Sequence, residues 1–171
     1  MSTTPCEYNL VEKPLIDLLT ADYGPGDNRP GYVYIPPADH LKYRGTRENE
    51  VLFTPLLVDA LIRINSIPKS SAETIASELQ SLTDNERWLA ILRGDYSKKI
   101  YGEDAHRTIR AVDFDNPANN HFAVTSQLYI TGAKNSKPDL IIYLNGIPVV
   151  VIEAKSSISV SYTHLTLPTK A

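Results

Sequence analysis

The chain has 171 residues, a net charge of −3 and an isoelectric point near 5.8, enough for one domain with a real core and too little for two large ones. The acid excess weighs against a protein that binds nucleic acid through its whole surface, but not against one that relies on a local basic patch and metal ions. A single cysteine, Cys6, excludes an internal disulfide and a cysteine-based zinc site, and no apolar run approaches the ~18 residues of a membrane span.

The N-terminus, MSTTPCEYNLVEK, lacks the basic start and long apolar core of a signal peptide, which together with the cysteine usage fits a cytoplasmic protein. Residues 7–20 carry Leu10, Val11, Leu15, Leu18 and Leu19 at helical spacing, with Pro14 in the first turn or breaking the pattern. Residues 23–44 are rich in Gly, Pro and Tyr, with one strand-like run at 31–35. Residues 47–64 predict a second helix, kinked at Pro55. Ser70, Ser71 and Glu73 resemble the start of a third that ends near Leu82. Asp84 is placed to cap a fourth, interrupted at Gly94.

Beyond about residue 107 the period changes to that of strands. Residues 108–114 and 121–130 read as two strands joined by DNPANN, a turn-forming composition. Residues 139–144 and 147–153 follow, separated by Asn145-Gly146, the strongest short-range hairpin signal. Helices first and a mostly antiparallel sheet second predict a mixed α/β (α+β) domain. Domain boundaries are expected at 1–157, and residues 158–171, which have no periodicity, read as a non-native or truncated tail.

The chemistry concentrates in PDLIIYLNGIPVVVIEAK, residues 138–155. Glu153 and Lys155 are two apart, so on a strand they share a face. Val149, Val150, Val151 and Ile152 ahead of them read as a strand buried on both faces, and charge at the end of such a strand needs a partner or a metal. Magnesium takes one or two carboxylates with phosphate and water. Asp139 and Glu153 supply two, and the backbone carbonyl of Ala154 offers a further oxygen. Lys155 could then orient or deprotonate an attacking water, or stabilise charge on the phosphorane. An isolated Glu-x-Lys is common and reads as the solvated end of a strand. Pro-Asp before one strand and Glu-x-Lys closing its hairpin partner is far more specific.

The hairpin imposes a parity condition. With a strict two-residue loop, Leu144 opposes Ile147, Asp139 opposes Ile152, and Glu153 falls on the other face. A three-residue loop of Leu144, Asn145 and Gly146, with Tyr143 opposite Ile147, brings both acids to one face. An odd-length loop or a bulge is therefore expected.

These residues resemble the N-terminal nuclease domain of type I restriction enzyme R subunits. The resemblance is carried by VDFDNPANNHFAVTSQLYI and KPDLIIYLNGIPVVVIEAK, and more loosely by ENEVLFTPLLVDALIRIN, spanning roughly residues 7–157. It implies a restriction-endonuclease-like PD-(D/E)xK fold: a central, mostly antiparallel sheet with flanking helices, here C-terminally truncated. It also implies cleavage of double-stranded DNA with Mg2+ (or Mn2+), in a complex with methyltransferase and specificity subunits. Asp139, Glu153 and Lys155 match the family's catalytic positions. Related nucleases add a glutamate from the first helix, for which Glu12 is the candidate and Glu7 lies close. The family's Gln-x-x-x-Tyr helix is absent, as is any G-x-x-x-x-G-K-[ST] loop, so ATP would act only through a motor region that this sequence does not contain. Another PD-(D/E)xK nuclease of repair or mobile elements, or a catalytically silent module docking on DNA or protein, are the competing readings.

Other residues carry weaker signals. Lys134 and Lys137 flank the Asp139 strand and could meet DNA phosphates. Tyr32, Tyr34, Lys42, Tyr43, Arg44 and Arg47 interleave aromatic and basic side chains as a phosphate-contacting segment or a tyrosine-rich loop. Gln127 faces either the cleft, where it could meet DNA, or water. Asp113, Asp115, Asn119 and Asn120 read as a hairpin loop more readily than as a cation site. His40, His106, His121 and His164 are too scattered for zinc.

Overall fold

The computed structural model describes residues 8–22 and 31–154. A π-helical turn, Tyr8–Glu12, leads into α1 (Lys13–Thr20), followed by β1 (Tyr32–Ile35) and α2 (His40–Arg44). Three helices follow: α3 (Thr54–Asn65), α4 (Lys69–Gln80) and α5 (Asn85–Arg93). The remaining strands are β2 (Ser97–Lys99), β3 (His106–Thr108), β4 (Phe122–Ser126), β5 (Leu140–Leu144) and β6 (Ile147–Ile152). The domain is mixed α/β, as expected. Its main sheet has the order β1-β4-β5-β6, with β1 parallel to β4 and the other two pairings antiparallel, and β2–β3 form a separate hairpin.

Alternation along the strands gives this sheet two apolar faces. Val124 and Leu140 on one face pack with Ile16, Leu15 and Leu19 of α1. Ile35, Ala123, Ile141 and Tyr143 on the other meet Phe53, Leu56 and Tyr43, so α2 and the start of α3 cover it. Tyr143 stacks on Phe53 with centroids 4.1 Å apart and planes 3° from parallel, and its hydroxyl donates to Val51 O at 2.8 Å. Behind α3, helices α4 and α5 close a second core around Leu57, Leu61, Ile75, Leu79 and Ile91.

Several sequence expectations need correction. The second helix starts at Thr54 rather than near residue 47, and Pro55 lies in its first turn, where no carbonyl ladder is broken and no kink is required. The third begins at Lys69 behind Pro68, without a side-chain cap; the Ser70 and Glu73 pattern falls inside the helix, where their carbonyls accept from Thr74 and Ser77 hydroxyls. Asp84 caps α5 as expected, accepting from the Glu86 and Arg87 amides, and Gly94 ends the helix in a left-handed conformation.

Residues 109–114 are not a strand. Ile109, Ala111 and Val112 are buried, but Asn65 Oδ1 takes the Arg110 amide and Asp113 takes those of Asp115 and Asn116, diverting the backbone from a ladder. The Asp113 cluster is a turn saturated by amides, Asn119 and Asn120 side chains included. The strand expected over 121–130 stops at Ser126, because Gln127 takes a left-handed backbone with φ 56°. Nor is β6 buried on both faces: it is the outer strand of the sheet among the described residues, and Val149, Val150 and Val151 are exposed, Val151 by 60%.

The hairpin satisfies the parity condition by a bulge, one of the two expected routes, and not by an odd-length loop. Its loop is the two-residue Asn145-Gly146, both with positive φ (53° and 79°), and Leu144 opposes Ile147. The three-residue loop does not form. One surplus residue in β6 is absorbed by a bulge instead: Tyr143 pairs with Pro148 but Ile142 with Val150, leaving Val149 unpaired. Leu140 then opposes Ile152, and the same register carried one step further sets Asp139 across from Glu153. The loop holds this shape because Asn145 is fully buried. Its side chain donates to Ala111 O and Asn120 Oδ1 and accepts from the His121 amide, while Gly146 O receives the Phe53 amide at the start of α3.

Candidate active site

The pairings bring the C-terminal ends of β1, β4 and β6 and the N-terminal end of β5 to one end of the sheet. Asp139 stands there just before β5, with Pro138 buried beside it. Asp139 Oδ2 accepts the Ala154 amide at 2.7 Å, which ties the end of β6 to the head of β5. Asp139 O accepts the Gln127 amide at 3.0 Å, tying in the end of β4.

Glu12 joins them from the other direction. It is the last residue of the π-helical turn and the N-cap of α1, and only 3% of it is exposed. Single π turns within helices recur at functional sites, because the extra residue re-aims a side chain. Glu12 reaches the sheet through Gln127, whose Nε2 lies 3.1 and 3.0 Å from the two Glu12 carboxylate oxygens and 3.3 Å from Asp139 Oδ1. Two carboxylates from opposite ends of the sequence thus converge on one neutral nitrogen. Glu153 lies at the end of β6, exposed, across from Asp139 by register. Lys155 and Glu7 lie outside the described residues.

Hydrogen bonds brace the end of the sheet beneath this cluster. The Thr125 hydroxyl donates to Ile35 O at 2.6 Å, so its oxygen accepts from His40 Nε2 at 2.7 Å and fixes the histidine tautomer. Tyr34 and Ser126 hydroxyls pair at 2.8 Å. His40 is buried, and burial, reinforced by Arg44 and opposed by Asp39, lowers its pKa below the usual value of 6.5.

The residues proposed to meet DNA are dispersed differently. Lys134 and Lys137 are exposed on the connection between β4 and β5. Arg44 donates to Tyr129 O at 2.6 Å and to Glu48 O at 3.2 Å, bracing α2 against that connection. Gln127 is half-buried, with its side-chain nitrogen engaged by the carboxylates. Tyr32, Tyr34 and Tyr43 pack into the core clusters. Two open clefts, of about 690 and 670 Å³, are lined by residues of α4 and α5 and by Lys42, Arg44, Arg47 and Lys69, and neither includes Glu12, Asp139 or Glu153.

Among the described residues, no three His, Cys, Asp or Glu side chains group as a metal cage. Two carboxylates, a backbone carbonyl and open coordination positions for phosphate and water are nevertheless what magnesium uses, and every donor here is a hard oxygen. Among the described residues, the side-chain donors and amides that Glu12 and Asp139 meet here are neutral, Gln127 Nε2 between them and the Ala154 N–H on Asp139, so the residues present fit a divalent cation.

Residues 7–164 match the family described as Type I restriction enzyme R protein N terminus. The Type I restriction enzyme HindI endonuclease subunit of Haemophilus influenzae is 31% identical over 119 residues, which cover 62% of this chain and 11% of that protein. The Putative type I restriction enzyme MjaVIIIP endonuclease subunit of Methanocaldococcus jannaschii is 28% identical over 132 residues, covering 71% of this chain and 13% of that one. The chain thus spans only a small part of the length of these relatives. No helix among the described residues is long and apolar enough to cross a membrane. With most of its length matched, the chain belongs to the family of type I restriction enzyme R protein N-terminal regions.

Proposed function

We propose that this chain is a PD-(D/E)xK nuclease domain that hydrolyses phosphodiester bonds of double-stranded DNA with magnesium or manganese. The observation that carries the reading is the convergence of Glu12 and Asp139 on one point at the sheet end where β6 delivers Glu153. Asp139, Glu153, the carbonyl of Ala154 and Glu12 would hold the cation, which when bound would polarise the phosphate and acidify a water. Asp139 is oriented for this by the Ala154 amide, which leaves its second oxygen turned toward Gln127 and Glu12. Lys155, two residues beyond Glu153, would orient the water or offset charge on the phosphorane. Lys134 and Lys137, exposed on the β4–β5 connection, and Arg44 beside it would meet the phosphate backbone.

The length of the relatives supports placing the domain in a larger enzyme. There, methyltransferase and specificity subunits would select the DNA and an ATP-driven motor would present it. The test is nicking of supercoiled plasmid with Mg2+ or Mn2+ by wild type, Asp139→Ala and Lys155→Ala. Cation-dependent nicking confined to wild type is expected, and equal nicking by all three would refute the assignment.

A further inference from the structure

The nuclease reading accounts for the acids and leaves Gln127 unexplained. A left-handed backbone is uncommon for a glutamine and persists where the surroundings fix it. Here they do: the main-chain N–H is held by Asp139 O at 3.0 Å, and the reversal ends β4 and turns the side chain toward α1. The amide must present nitrogen, not oxygen, because all three partner atoms are carboxylate oxygens. Its two protons serve three acceptors, one shared across the Glu12 carboxylate and one directed at Asp139 Oδ1. Among the described residues, Gln127 is the only hydrogen-bond donor to the buried Glu12. Asp139 keeps the Ala154 amide as a second anchor, so among the described residues it is Glu12 whose aim depends on Gln127.

We infer that Gln127 is a positioning residue for the divalent cation, cross-linking Glu12 and Asp139 so that their oxygens already surround one point when the cation arrives. The inference rests on the magnesium reading above. Coordination at about 2.1 Å requires the oxygens to close in from their present 3.0–3.3 Å around Nε2, so the amide yields the point to the cation on binding.

The experiment is Mn2+ binding to the whole chain, followed by electron paramagnetic resonance, with thermal melts of each variant with and without Mn2+. Gln127→Gly keeps the left-handed backbone and deletes the amide. Its affinity should fall by about 10–100-fold, as for other groups that orient metal ligands. Gln127→Glu keeps the size of the side chain and replaces the donor with a third carboxylate. It should bind Mn2+ more tightly than wild type and gain more melting temperature from Mn2+, a gain that a merely structural hydrogen bond would not produce. Wild-type affinity in both variants, with binding abolished by Asp139→Ala, would overturn the role of Gln127 and leave the metal site standing. No Mn2+ binding by wild type, or binding unchanged in Asp139→Ala, would overturn the metal site and this inference with it. If Gln127→Glu shows no cooperative melt, the Gln127→Gly affinity decides alone.

Discussion

The placement of both acids depends on a hairpin seated against the start of α3, and Gly146→Ala tests how tightly it is seated. Gly146 has φ 79°, and a Cβ there would lie 2.4 Å from Phe53 O, 2.8 Å from Leu57 N and 3.1 Å from Leu56 Cβ. The first two are backbone atoms of the α3 N-terminus and cannot swing aside. Three costs add. The left-handed backbone costs an alanine about 1 kcal/mol relative to glycine. Relieving a 2.4 Å contact moves the hairpin away from α3 and breaks the Phe53 amide to Gly146 O bond of 2.9 Å, about 1 kcal/mol net. Overpacking of this kind costs about 1–3 kcal/mol more. The expected loss is about 3–5 kcal/mol, a large share of the 5–15 kcal/mol that stabilises a typical domain.

The control is Gly94→Ala. Gly94 has φ 85° but open space where a Cβ would stand, so only the backbone term of about 1 kcal/mol applies. Equilibrium urea unfolding separates the two. A difference of about 2 kcal/mol or more moves the midpoint by roughly 1 M at the slopes usual for small domains. Equal midpoints for the two variants would show that the close approach to α3 contributes nothing, and that the hairpin is held by its own ladder alone.

Asn145→Ala should destabilise by about 3 kcal/mol, since it leaves Ala111 O and the His121 amide unpaired in the interior and puts alanine at φ 53°; unchanged thermal stability would mean that water replaces the side chain. Deleting Val149 leaves six residues on each side of the loop, so a regular hairpin should still set Asp139 across from Glu153 and Mn2+ binding should survive; its loss would show that the bulge matters for more than register. Stability should also fall with acidification. His40 and His121 both have pKa values lowered from 6.5, chiefly by burial, so as the pH drops through 6.5 the unfolded chain takes up protons that the folded chain refuses, until the pH reaches the lowered folded values. The urea midpoint should decline across that window and decline less in the double variant His40→Gln/His121→Gln; superimposable curves for the two proteins would refute the linkage.

What could be read from the sequence follows from the range of the interactions involved. Asn145-Gly146 announced the hairpin because two adjacent residues that tolerate positive φ are a local property, and parity then required one surplus residue. The location of that residue was not legible: a longer loop and a bulge in β6 satisfy the same count, and the choice was made by Asn145, whose buried partners come from the 111–121 segment. The exposure of β6 was hidden for a related reason. A run of valines reads alike in a central and an outer strand, because position in the sheet is set by topology rather than by the run. Gln127 was the least legible of all. Its partners lie 115 and 12 residues away, and from sequence it is a mid-strand residue facing either the cleft or water; its link to the acids rests on the left-handed turn and the buried Glu12. Asp139 and Glu153 could be proposed from spacing because metal chemistry constrains their type and order, whereas Glu12 entered only through the family resemblance. The group that aims them is constrained only by distance, so it becomes visible once the fold has brought α1, β4 and β5 to one place.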